Sequence, residues 1–245
     1  MMISEELREL LQSARRAAVL TGAGISKESG IPTFREAQTG LWANYDPAEL
    51  ATPQAFKQNP QLVWEWYCWR RDLVGAAQPN PGHLALAQME RLFPEFHLIT
   101  QNVDGLHRQA GSQHVIELHG NITRSKCFER GHPVEAWAED GRIPPVCPQC
   151  GSLLRPDVVW FGESLPADAL HDAVDASQNV DVFFSIGTSA LVHPAASLPI
   201  YARQAGAVIV EVNPDETPLS VTADFILRGA AGEILPELID QVWKR

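Results

Sequence analysis

The sequence predicts an α/β fold: a mainly parallel sheet with helices on both faces, interrupted by a smaller second lobe. Three observations point to it. Short runs of β-branched and aromatic residues recur along the 245-residue chain. Helix-period segments separate several of them, and strand alternating with helix builds a parallel sheet. The runs are mostly apolar, as strands covered on both faces are.

Residues 4–16 read as a helix in which Ser4 is the cap and Glu5 and Glu6 suit the positive end of the dipole. Leu7, Leu10, Leu11 and Ala14 form its apolar stripe. The first strand follows as AAVLTGAGIS, broken by Gly22 and Gly24. Further strand runs lie at 96–102, 114–120, 157–163, 181–189, 207–214 and 224–229. Helical patterns occupy 83–92, 167–178, 195–205 and 232–243. Two stretches break the alternation. Residues 36–82 are rich in Trp, Tyr and Pro and read as mostly helical, and residues 121–156 hold Cys127, Cys147 and Cys150 among Gly and Pro turns. The expected division is 1–35, 83–120 and 157–245 for the sheet domain, with 36–82 and 121–156 as the second lobe.

Composition removes several function classes. Apolar residues make up 45% and charged residues 20%, so the chain is not disordered. A net charge of −11 makes it a poor partner for a nucleic-acid backbone. No apolar run approaches the ~20 residues of a membrane span, and the acidic MMISEELRELL start is no secretory signal. The cytoplasm is the simplest compartment. Four cysteines form no disulfide framework, and Cys147-Pro-Gln-Cys150 points to metal or redox chemistry.

Ligands of open α/β sheets bind beyond the carboxyl ends of the strands, so polar residues there carry the functional reading. Thr21-Gly22-Ala23-Gly24-Ile25-Ser26 follows the first strand, where glycines let the backbone approach a pyrophosphate. Lys27 stands where a dehydrogenase fingerprint has its third glycine, and no acidic residue about 20 positions later ends a second strand, which disfavours that class. Gly30 and Pro32 interrupt the next segment, consistent with a loop that carries Phe34 and Arg35 over a ligand. Gln101-Asn102-Val103-Asp104 ends the second strand. His119-Gly120 ends the third and supplies a general base near neutrality. Gly187-Thr188-Ser189 and Asn213 repeat the pattern.

Together with Gly30-Ile31-Pro32-Thr33-Phe34-Arg35 and Asn213-Pro214, these motifs resemble, in order and spacing, the sirtuins, NAD-dependent protein-lysine deacylases. The resemblance runs from about residue 10 to 243. It implies a Rossmann-like NAD-binding domain and a small zinc-module domain, with NAD and acyl-lysine meeting between them. His119 then matches the base that acts on a ribose hydroxyl, and Asn102 and Asp104 match residues on the nicotinamide side. Ala23, Thr33, Phe34 and Arg35 match cofactor-loop positions, Ser189 and Asn213 match ribose contacts, and Ala231 lies toward the adenine. An extended acyl-lysine peptide is expected beside the WFGE segment, with Val159, Phe161 and Gly162 on its path and the Val192-His193 loop opposite. ADP-ribosyl transfer to protein and non-catalytic NAD sensing share these motifs. Intact His119, Asn102 and Asp104 argue against the latter.

A helix over 60–74 opens with Pro60. Leu62, Trp66, Trp69 and Leu73 share one face, expected to be core, while Val63, Tyr67, Arg70 and Val74 form a second stripe roughly 110° away. Tyr67 and Arg70, spaced i,i+3, can converge on a carboxylate. This Tyr-x-x-Arg resembles the pair that marks the class III sirtuins, which implies removal of succinyl and malonyl groups as well as acetyl.

For zinc, the sequence shows half of a four-cysteine signal. Cys147 and Cys150 form a knuckle, Cys127 precedes them, and Arg130 stands where the family pattern has its fourth cysteine. His132 completing a Cys3His set, a site that is three-coordinate or empty, and a Cys147–Cys150 redox pair are the alternatives.

Overall fold

The structure is a computed structural model that describes residues 3–33, 45–138 and 140–244. Helix α1 (Glu5–Ser13) is capped as expected, with Ser4 Oγ accepting from the Leu7 N–H at 3.2 Å. It leads into β1 (Arg16–Thr21) and the single turn α2 (Ala23–Ser26). The second lobe then opens with α3 (Pro47–Leu50), α4 (Pro53–Gln58) and α5 (Pro60–Ala76). Each begins with proline behind a side-chain cap, from Asp46, Thr52 and Asn59 in turn. Proline suits the first helical position because the N–H it lacks would have no intrahelical partner there.

The chain returns to the sheet through α6 (Pro81–Leu92), β2 (Glu95–Thr100), α7 (Leu106–Gln109) and β3 (Val115–Glu117). It leaves again as β4 (Gly120–Cys127) and β5 (Leu154–Val158), then closes with α8 (Ala167–Gln178), β6 (Val182–Ile186), α9 (Leu198–Gln204), β7 (Val208–Val212), β8 (Phe225–Leu227) and α10 (Ala231–Trp243).

Six strands form one sheet in the order β3-β2-β1-β6-β7-β8, every pair parallel. This is the doubly wound order, which reverses direction between β1 and β6 and opens a crevice beyond their carboxyl ends. Alternate residues of β1 serve opposite faces. Ala17 and Val19 pack with α1, α6 and α10, and Ala18 and Leu20 pack with α8 and α9. Both sets are almost wholly buried, so the strands could carry no polar face.

The structure corrects two sequence expectations. The run at 157–163 does not join the parallel sheet. Leu154–Val158 pairs antiparallel with Gly120–Cys127 in a separate two-stranded sheet. The core face of α5 is also wider than expected: Trp66 is buried and Leu62 and Trp69 pack against the same core, but the second stripe is covered as well. Val63, Trp66, Tyr67 and Val74 are buried with Phe56, Ile122 and Trp160, whereas Leu73 is 37% exposed and Leu62 and Trp69 are half-buried. Among the described residues, no helix is long and apolar enough to cross a membrane.

Candidate functional site

Register brings the strand ends level. Thr21 lies opposite both Thr100 and Ile186, and the loops that follow converge at the reversal point. There the glycines have a reason the sequence did not show. A side-chain carbon on Gly24 would lie 2.6 Å from the Gly187 carbonyl oxygen, and one on Gly22 would lie 2.8 Å from Thr188 Cβ. Gly187 has φ +58°, a conformation that costs an L side chain. The two loops therefore cross backbone to backbone, joined by the Gly24 N–H to the Gly187 carbonyl at 2.8 Å.

Gln101 ties this crossing to the histidine. Its side-chain amide donates to Thr188 Oγ1 at 3.0 Å, and its carbonyl lies 2.9 Å from His119 Nδ1. A carbonyl only accepts, so Nδ1 carries the proton and Nε2 keeps its lone pair. Burial pulls the imidazole below its ordinary pKa, against the opposing pull of that bond, which keeps the ring neutral. Gly120 follows with φ +79°, and a side-chain carbon there would meet the Asp157 carbonyl at 2.1 Å. Only glycine lets β4 start directly behind His119.

Asn102 Nδ2 donates to the Gly22 carbonyl at 3.0 Å and to Ser26 Oγ at 3.1 Å, which leaves its Oδ1 uncommitted by these bonds. Ser26 Oγ donates to Asp104 Oδ2 at 2.7 Å, and Asp104 Oδ1 accepts the Leu106 N–H at 2.9 Å. Burial raises the Asp104 pKa against these two bonds. Asn213 donates to the Thr188 carbonyl at 2.9 Å, so the ends of β6 and β7 are also joined. Ser189 lies next to Thr188, half-buried, and Ala231 opens α10 nearby in the fold. The structure thus brings Gly22–Ser26, Gln101, Asn102, Asp104, His119, Gly187, Thr188 and Asn213 into one connected network. Val103 adjoins it, its carbonyl accepting the Ile122 N–H, and Thr33 ends the described part of its loop. Phe34 and Arg35 lie outside the described residues.

Sequence reading missed the layer beneath. His83 and His107 are buried, their ring centroids 4.8 Å apart. His107 Nε2 lies 2.9 Å from Thr21 Oγ1, which donates to Thr100 Oγ1 at 2.8 Å. The only sequence sign was a threonine ending each of β1 and β2.

The second lobe carries the residues expected to meet the acyl-lysine. Tyr67 is 1% exposed, and Arg70 lies with its guanidinium 5.0 Å from the Trp66 ring and 5.8 Å from the Tyr67 ring. Burial lowers the Arg70 pKa, though a guanidinium keeps its charge. Above them Val159 donates its N–H to the His119 carbonyl at 2.9 Å, and Phe161 donates to the Ala51 carbonyl at 2.9 Å. Phe161, Gly162 and Val192 are exposed. Arg155 holds this segment from below, with Nη1 2.5 Å and Nη2 2.9 Å from the two Glu163 carboxylate oxygens.

At the far end of the lobe, ligand atoms of Cys127, His132 and Cys147 lie within 4.8 Å of one another. Cys127 Sγ is 3.5 Å from Cys150 Sγ, and Cys147 Sγ is 3.3 Å from His132 Nε2. Zinc–sulfur bonds of about 2.3 Å in a tetrahedron set sulfurs about 3.8 Å apart, so three thiolates and an imidazole fit one ion. Backbone turns that present Cys127 and Cys147, such as Gly131 N–H to the Cys127 carbonyl and Gly151 N–H to the Cys147 carbonyl, are in place. Cys68 packs beside this cluster with Trp64 and Trp137.

The Sir2 family profile matches residues 22–194. The chain belongs to the Sir2 family. It is 56% identical over 222 residues to the NAD-dependent protein deacylase of Aquifex aeolicus (strain VF5), covering 90% of this chain and 92% of that protein. NAD-dependent protein deacylase 1 of Archaeoglobus fulgidus is 50% identical over 244 residues, 99% of each chain. Among solved structures, a Sir2 homologue–NAD complex superposes with a TM-score of 0.91 at 50% identity, covering 98% of this chain and 94% of that one. A Sir2 bound to acetylated peptide gives 0.86 at 33% identity, covering 98% of both.

Proposed function

We propose that this Sir2-family chain is an NAD-dependent protein-lysine deacylase that removes acetyl and acidic acyl groups, succinyl and malonyl, and releases nicotinamide and O-acyl-ADP-ribose. The observation that carries the reading is the placement of His119. Its Nδ1 is held by the Gln101 carbonyl, its Nε2 is free to take a proton, and Gln101 also grips the loop crossing at the sheet reversal. NAD supplies the ribose that receives the acyl group. The residues that would hold it are Gly22–Ser26, Thr33, Gln101–Asp104, Gly187–Ser189, Asn213 and Ala231, joined by Phe34 and Arg35.

His119 takes the proton of a ribose hydroxyl. It is suited to that role because burial keeps the ring neutral at pH 7. Asn102 and Asp104 orient the nicotinamide side, fixed by Ser26 and the Gly22 carbonyl. The acyl-lysine peptide lies extended between Val159, Phe161 and Gly162 on one side and the Val192-His193 loop on the other. Main-chain pairing there gives affinity with little sequence preference. Tyr67 and Arg70 receive the acyl terminus, where a phenol and a guanidinium recognise a carboxylate. Cys127, His132, Cys147 and Cys150 would hold a structural zinc, which supplies folding energy to the lobe and no step of the reaction.

Mass spectrometry of an acyl-peptide panel with and without NAD tests this. Wild type is expected to remove acetyl and succinyl groups only with NAD. His119→Tyr should lower the rate about 10²–10⁴-fold. Arg70→Met should lower the succinyl-to-acetyl ratio of kcat/KM roughly tenfold. An unchanged ratio removes the acidic-acyl assignment. Mass added to the peptide, rather than lost from it, would mark ADP-ribosyl transfer instead.

A further inference from the structure

The Tyr67 hydroxyl is not free to choose its role. Trp160 Nε1 donates to Tyr67 Oη at 2.9 Å, across 93 residues of sequence. An indole N–H can only donate, so the phenol oxygen must accept. Its own proton is thereby turned away from Trp160, and no hydrogen-bond acceptor for it is found among the described residues. Arg70, one turn along α5, has donors only. Without the indole N–H, the phenol oxygen would be open to an N–H from its cationic neighbour, and an Arg70 donor meant for a ligand would be spent on the phenol.

The indole is fixed strongly. Trp160 is 1% exposed, and the Arg155 guanidinium lies 3.3 Å from its ring centroid. The Trp160 backbone N–H donates to Glu163 Oε2 at 2.8 Å, the carboxylate that also binds Arg155. The Tyr67 and Trp160 rings are 6.3 Å apart and tilted by 34°. Burial raises the Tyr67 pKa, so the phenol keeps its proton across the working range.

We infer that Trp160 is a positioning residue for acyl selection: its indole N–H makes Tyr67 an obligate donor, so that Tyr67 and Arg70 present only donors to an acidic acyl terminus. This rests on the acidic-acyl reading above. Trp160→Phe keeps an aromatic ring against Arg155 and deletes the N–H together with part of the buried indole. The readout is the succinyl-to-acetyl ratio of kcat/KM, measured within one preparation so that partial unfolding cancels. The ratio is expected to fall about fivefold, the worth of one neutral hydrogen bond, with the change in KM for the succinyl peptide and not in KM for NAD.

A merely structural role is separated by the double variant. Trp160→Phe added to Tyr67→Phe should lower the ratio less than twofold further, because the hydroxyl it acts on is already gone. Losses that multiply, or a Trp160→Phe ratio equal to wild type while Tyr67→Phe lowers it, overturn the inference and leave the acyl reading standing. If Tyr67→Phe and Arg70→Met both leave the ratio unchanged, the acyl reading fails and this inference fails with it.

Discussion

The two proposed walls of the site are held by different physics. On the sheet side, position is set by main chain. Parallel register levels the ends of β1, β2 and β6, glycine crossings lock the loops, and neutral hydrogen bonds join Gln101, Thr188 and Asn213. On the second lobe, position is set by charged side chains and sulfur. Arg71 reaches from α5 into the irregular stretch of β4 and donates to the carbonyls of Ile122 and Arg124 at 2.6 and 3.0 Å. Arg155 and Glu163 hold the WFGE segment, and Cys127, His132 and Cys147, with Cys150 beside Cys127, cluster at the far end. A wall built from backbone is placed by folding itself. A wall built from charges and a metal site can be loosened without unfolding the sheet.

Metal removal should separate the two walls most sharply. A structural zinc site contributes on the order of 10 kcal/mol to the folding of small modules. Purified protein is expected to hold about one zinc per chain, and His132→Ala to hold less. Chelation should abolish the near-ultraviolet dichroism of the Trp64–Trp137 pair, whose rings meet edge to face at 6.4 Å, while far-ultraviolet signal from the parallel sheet and its helices persists. Zinc below a tenth of an equivalent, or simultaneous loss of both signals, would remove the contrast.

What the sequence disclosed follows the same divide. Strand runs, their polar ends, Gly22, Gly24 and His119 were legible because each is a local pattern that a parallel sheet gathers at one edge. The second lobe was legible in outline only. Nothing local pairs Leu154–Val158 with Gly120–Cys127, because the partner strand's run carries Thr123, Arg124, Ser125 and Lys126 and does not read as apolar. Helical periodicity offered two stripes on α5 and named one as core, but could not show that the other would be covered as well. Trp160 and its neighbours decide that from 93 residues away. Likewise the motif located the glycines, but their contact with Gly187 exists only after the chain has wound around the sheet.

A smaller effect tests the charged wall alone. Glu163→Gln leaves the Arg155 guanidinium, 4% exposed, without its anion, at a cost of about 3 kcal/mol. Burial pushes the Glu163 carboxyl up, but bonds from Arg155 and the Trp160 N–H outweigh it and hold it below the usual 4.5. With the folded value depressed, the unfolded chain binds the proton first as pH falls. The pair's stabilisation is therefore present above pH 4.5 and lost as pH drops through the folded value. Thermal unfolding at pH 7 should show the loss. The variant should lack Glu163's share of the wild type's acid destabilisation below pH 4.5, while the shares of other depressed carboxylates such as Glu90 and Asp181 remain.

The sheet wall has its own acid weakness, and it should come earlier. Burial lowers His83 from 6.5 to about 4, and burial together with the neighbouring His83 takes His107 well below 6.5. Each ring is neutral when folded, while in the unfolded chain each takes a proton near its ordinary value. Stability is full above pH 6.5 and drains as pH falls toward about 4. One pH unit below the ordinary value the loss is about 1.4 kcal/mol for each ring. Facing groups set the background: Ser26 Oγ lies 3.5 Å from His83 Nε2 and donates to Asp104, whose raised pKa acts in the opposite sense at lower pH. His83→Gln should therefore remove about 1.4 kcal/mol of the stability change between pH 7.5 and 5.5, measured by denaturant unfolding, whatever its effect at pH 7.5. Glu163→Gln should leave that window unaltered, because its carboxyl stays ionised there. If instead the His83 variant keeps the full slope, the histidine layer does not bear on the sheet wall's acid response, and the two walls fail together.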